Sequence, residues 1–133
     1  MNIDILNKYG ISFHKQDNGF LKVIASNSNL DLAILLNRYT AHKSTIPDLL
    51  ATINLVLSGK YNEVLQSEKV TWYENLGTDI YTGIIQSNLT FDVFIEDHYD
   101  KTLVTYPLID IKEILVLLLH FLTHNNQFPT GNS

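Results

Sequence analysis

The side chains of this 133-residue chain that could do chemistry are five histidines and fourteen carboxylates, and no cysteine accompanies them. Without thiols, a disulfide framework, a thiolate metal site and a cysteine nucleophile are all excluded. None of the serines stands between glycines as a nucleophile elbow requires, and the six glycines are too scattered to build a phosphate-cradling loop. Glycoside chemistry needs two carboxylates at a fixed separation across a sugar cleft, and no such pair can be read from the chain. His120 and His124 lie four apart, so on a helix they would face the same way and chelate a metal. The run His120-Phe121-Leu122-Thr123-His124 lacks the glutamate of a zinc-protease motif, and no third ligand is evident. The pair therefore reads better as a polar helix end, and no metal, cofactor or catalytic activity is expected.

The most concentrated negative stretch is Asp92, Glu96, Asp97 and Asp100, with no basic residue before Lys101. Asp92 and Glu96 share the parity opposite to Phe91, Val93 and Ile95. In a strand they would project away from the apolar row, with Phe94 between them as an aromatic anchor. His98, between Asp97 and Asp100, fits an interface better than a catalytic site. The charge of the whole chain is uneven. Residues 1–60 hold six Lys/Arg against four Asp/Glu, and residues 61–133 hold three against ten. The halves are thus +2 and −7, which disfavours nucleic acid at the acidic surface and favours a basic partner. The competing reading is a solvated acidic face with no partner.

These residues need elements to position them. Ile11 and Phe13 alternate with polar residues, Asp17-Asn18-Gly19 supplies a turn, and Leu21, Val23 and Ala25 resume the alternation, which predicts a hairpin. Ser26-Asn27-Ser28-Asn29 reads as a polar break that caps a following helix. Residues 30–40 fit helical spacing through Leu30, Ile34 and Leu35, but Leu30, Leu32, Ile34 and Leu36 also alternate as a strand would; helix is preferred. Ile46, Leu49, Leu50, Ile53, Val56 and Leu57 predict a helix over 46–58, capped by Thr45 and stopped by Gly59. From Val64 to Tyr106 the period changes to two. Strands are expected at Val70 and Trp72, at Ile80 to Ile84, at Leu89 to Ile95 and at Leu103 to Thr105, with Ser87-Asn88 as a turn and Pro107 ending the pairing. Asp110 and Glu113 read as a capping box for a last helix whose core face is Ile111, Ile114, Leu115, Leu118 and Leu122. Val116, Leu117 and Leu119 make that helix apolar on other sides too, so it is sandwiched, or serves a homodimer; burial is preferred. The tail from Asn125 reads as frayed.

With 45% apolar residues and no linker or repeat, residues 1–133 read as one α+β domain, an antiparallel β-meander packed against two or three helices. The start lacks the pattern of a secretory signal and the longest apolar run is far short of a bilayer span, so a cytoplasmic location is expected.

Three stretches carry a resemblance: the helix Thr45 to Leu57 closing in Ser58-Gly59-Lys60-Tyr61-Asn62-Glu63-Val64, the meander around Val70-Thr71-Trp72-Tyr73-Glu74, and Leu108-Ile109-Asp110 leading into a leucine-rich helix. In organisation the chain resembles immunity proteins of bacterial polymorphic toxin systems, including those of contact-dependent growth inhibition. The resemblance covers about residues 45–122 and transfers no functional residue by position. It implies a small cytoplasmic protein that binds a cognate toxin domain, many of which are nucleases with basic clefts. The site expected from the residues themselves is Asp92, Phe94, Glu96, Asp97, His98 and Asp100. A different class remains open: a small-molecule-binding or enzymatic domain with Trp72, Tyr73, Tyr81 and His98 lining a pocket.

Overall fold

The computed structural model describes residues 4–17, 21–41, 43–76, 79–96 and 101–124. In chain order they form helix α1 (Asp4–Lys8), strands β1 (Ser12–Lys15) and β2 (Leu21–Ile24), helices α2 (Leu30–Ala41), α3 (Ile46–Leu57) and α4 (Gln66–Lys69), strands β3 (Val70–Leu76), β4 (Asp79–Ile85), β5 (Thr90–Glu96) and β6 (Lys101–Pro107), and helix α5 (Leu108–Thr123). The α+β class and the meander expected from the sequence are what the chain adopts. β1 and β2 form an antiparallel hairpin, and β3-β4-β5-β6 pair in sequence order, each antiparallel to the next.

Alternation along the strands gives the meander two unlike faces. In the observed register Gly83 and Ile85 lie opposite Val93 and Phe91, which lie opposite Val104 and Tyr106. All of these are buried except Val104, which is partly so. Helix α2 packs against β2, β3, β4 and β5, and α5 packs against β5 and β6 as well as α1 and α3. Helix α5 is buried along most of its length, with Ile111, Ile114, Leu115, Leu117, Leu118 and Phe121 all in the core. Of its excess apolar residues Leu117 is buried and Leu119 partly so, while Val116, like Ile109, is exposed. The hairpin joins the same core through Phe13, whose ring lies 5.4 Å from that of Phe121.

Residues 30–41 are helix, the alternative preferred for them. Burial of Leu32, Ala33, Leu35, Leu36 and Tyr39 follows a helical stripe, and Asn37 decides the docking. Its side-chain carbonyl accepts the Val23 amide N–H at 2.8 Å, and its NH2 donates to the Val23 carbonyl at 2.8 Å. One side-chain amide thus does for the edge of β2 what another strand would do.

Helix ends are where the sequence reading needs correction. Thr45 makes no capping bond: residues 43–45 form a 3-10 turn that runs straight into α3. The Ser26 to Asn29 segment is also a 3-10 turn, with no side-chain cap from Ser26. Asp110 does not cap α5, which begins two residues earlier, after Pro107. Pro107 has no N–H to leave unsatisfied, so it both ends the ladder and opens the helix. The C-terminal reading holds: Gly59 has φ +89°, and the Lys60 N–H reaches the Leu55 carbonyl at 3.0 Å while Gly59 N–H reaches Val56, closing α3. Gly10 closes α1 in the same way, with φ +62° and Ile11 N–H on the Leu6 carbonyl. That helix was not expected; it is only five residues long and gains its place by burying Ile5 and Leu6. Nor is the stretch from Val64 all strand, since α4 precedes β3. Leu89 belongs to the β4–β5 turn rather than to β5, with φ +65° and its side chain exposed. The tail from Asn125 lies outside the described residues.

Candidate functional site: the outer face of the meander

The face of the sheet opposite the helices carries Val70, Thr82, Ile84, Asp92, Phe94 and Thr105. Thr105 is exposed, Val70 is 39% exposed, and the other four are half-buried. The parity argument holds at Asp92 and Phe94: both project away from Phe91 and Val93. The register sets Asp92 between Ile84 on β4 and Thr105 on β6, and Phe94 between Thr82 and Leu103.

Asp92 is less free than expected. Its Oδ2 accepts a hydrogen bond from Gln86 Nε2 at 3.1 Å. Its Oδ1 is buried and meets no hydrogen-bond donor among the described residues. A carboxylate oxygen shielded from water and left unbonded costs about 1–3 kcal/mol or more. Such a residue is a poor choice for stability on a sheet surface, where threonine or valine would serve better.

Glu96 ends β5, with Ile80 and Lys101 as its register partners. The side chain of Glu96 lies outside the described residues, as do Asp97, His98 and Asp100 entirely. The side chains of Trp72, Tyr73 and Tyr81, expected to line a pocket, are likewise outside them, although their backbone is in β3 and β4. One cation of the acidic half is withdrawn from the surface: Lys69 is buried, with Nζ 3.8 Å from the centre of the Tyr61 ring.

A second polar assembly was not anticipated. Asp110, singled out as a cap, is buried and receives hydrogen bonds on Oδ2 from Lys8 Nζ at 2.9 Å and from the Tyr9 hydroxyl at 2.5 Å. Tyr9 packs edge-on against Tyr106, ring centres 5.4 Å apart, and Tyr106 donates to Asn29 Oδ1 at 2.8 Å. Asn29 in turn donates to the Tyr9 carbonyl at 3.0 Å, as Ser26 does at 3.1 Å. Burial would lift the Asp110 carboxyl, but the bonds from Tyr9 and Lys8 and the Lys8 charge outweigh it and hold it below its ordinary value. Burial, with the charges of Asp31 and Tyr9 behind it, pushes the Tyr106 hydroxyl up to about 12. Every polar group named in this chain of contacts has a partner, so it works as a clasp between α1, the start of α2 and the start of α5. The sequence signal was thin: Lys8 and Tyr9 lie about a hundred residues from Asp110.

Among the described residues no helix is long and apolar enough to cross a membrane, and no three His, Asp or Glu side chains gather as metal ligands. No family model, curated protein or solved structure matches the chain.

Proposed function

We propose that this chain is a binding protein that neutralises a bacterial toxin domain by docking it on the outer face of the meander. The observation that carries the reading is Asp92, a half-buried acid with one shielded oxygen that meets no donor among the described residues, set among Ile84, Phe94 and Thr105 on the sheet face opposite the one on which α2 and α5 pack. Free energy left unrealised on a surface is what a partner can release on binding. The surrounding apolar atoms supply contact area, and the excess of acids over bases in residues 61–133 favours a basic surface opposite. Sequestering Lys69 sharpens that polarity. The resemblance to immunity proteins supplies the class of partner, a toxin domain such as a nuclease, and makes inhibition rather than catalysis the activity.

The test is growth rescue. The genes flanking this chain's own are searched for a toxin-like domain, that domain is produced in a host with and without the chain, and the affinity of the purified pair is measured across a salt series. Protection is expected from the wild type. Asp92→Lys combined with Phe94→Ala should abolish protection and flatten the salt dependence. Unchanged affinity in that double variant would remove this face from the interface, and failure of the wild type to protect would remove the function.

A further inference from the structure

His120 lies in the last turn of α5 and His124, four residues on, is its C-cap, so closing that turn brings the two imidazoles to one side. Here that turn is closed by the residues themselves. The His124 backbone N–H donates to the His120 carbonyl at 2.8 Å, and the Thr123 hydroxyl donates to Leu119 at 2.8 Å. The two rings lie with centres 4.8 Å apart and planes inclined by 46°. His124 is exposed and His120 half-buried, at the C-terminal end of α5.

That distance can be compared with what a shared metal ion demands. A metal–imidazole bond of about 2.1 Å, with the ring centre about 1.1 Å behind the nitrogen, puts each centre about 3.2 Å from the ion. A tetrahedral angle then separates the centres by about 5.2 Å, and a right angle by about 4.5 Å. The observed 4.8 Å falls between the two.

We infer that His120 and His124 form a bidentate site for a borderline divalent transition-metal ion, of the class of Cu2+, Ni2+ and Zn2+, with no third His, Asp or Glu ligand among the described residues. Imidazole selects these ions over the hard cations Mg2+ and Ca2+, which require oxygen ligands. The site is independent of the outer sheet face, so its fate does not bear on toxin binding.

The full chain is titrated calorimetrically with NiCl2, CuCl2, ZnCl2 and MgCl2, and its amide spectrum is followed with the paramagnetic Ni2+ ion. The expected result is one Ni2+ per chain with a dissociation constant in the micromolar range, tighter binding of Cu2+, none of Mg2+, and line broadening centred on residues 120–124. His120→Gln and His124→Gln should each weaken binding by at least about tenfold, whereas His14→Gln leaves it unchanged. His124 is exposed, so its substitution keeps the fold and carries the test even if the half-buried His120 proves structurally sensitive. Absence of saturable binding, or binding that persists in His124→Gln or disappears in His14→Gln, overturns the assignment.

Discussion

Asp110 illustrates how one carboxylate can be both buried and ionised. Desolvation opposes its charge, and two hydrogen bonds plus a nearby ammonium more than compensate, so its folded pKa lies below the ordinary 3.8. A lowered folded pKa means stability that is present at neutral pH and disappears as pH falls through that lowered value. Asp110→Ala leaves the Tyr9 hydroxyl without its acceptor and should cost about 1–3 kcal/mol at pH 7 in urea unfolding. The difference between variant and wild type should shrink below about pH 4, once the unfolded carboxylate is protonated. A gap that stays constant down to pH 2 would show that the carboxylate's charge is irrelevant. Asp92 presents the reverse case, since its Oδ1 is shielded and meets no donor among the described residues. Asp92→Thr should raise the stability of the free chain by about 0.5–1 kcal/mol and, if the proposed function holds, weaken binding to the proposed partner. Gains of opposite sign in those two measurements are what a residue kept for binding produces.

At the level of elements, the joints are under the tightest control. The β4–β5 turn places a leucine at φ +65°, a conformation that costs a side-chain-bearing residue about 1 kcal/mol. Leu89 is 44% exposed, so little burial is lost on replacing it. Leu89→Asn, which suits the left-handed region, should stabilise the chain by about 0.5–1 kcal/mol, read as a rise in thermal midpoint without a change in the far-ultraviolet spectrum. A fall instead would mean that the exposed leucine is held by contacts stronger than the backbone strain. The joint between α2 and the hairpin works through Asn37, which saturates both backbone groups of Val23 and also donates to Ala33. Asn37→Leu keeps helix propensity but leaves the Val23 N–H and C=O unpaired. A loss of about 2–4 kcal/mol is expected, with amide exchange accelerated at Val23 first.

Across the described residues, α2 and α5 pack on the face of the meander that carries Ile85, Phe91, Val93 and Tyr106, and the opposite face is half-buried to exposed. The covered face carries the stability, through Ile85, Phe91, Val93 and Tyr106 against α2 and α5. The opposite face buries less, and it is there that Asp92 and Phe94 lie. The clasp among Lys8, Tyr9, Asn29, Tyr106 and Asp110 draws the start of the chain onto the start of its last helix. It joins segments about a hundred residues apart, and its loss would loosen α1 without disturbing the sheet.

Much of this organisation was legible because it rests on periodicity. A change of apolar period from 3.6 to 2 marks where helix gives way to strand, and strand parity alone placed Asp92 and Phe94 on the face away from the core. Gly59 announced the end of α3 because few other residues tolerate its backbone angles. The remainder depended on groups distant in the chain. Whether residues 30–41 were helix or strand was undecided locally, because both periods fit, and the docking of Asn37 on β2 is a tertiary fact. Asp110 has the composition of a cap and is a clasp, since Pro107 had already opened the helix and Lys8 and Tyr9 came within reach only on folding. His120 and His124 show the division most simply: spacing put both rings on one side of a helix, and the geometry of its final turn brought them to a distance that one metal ion can span.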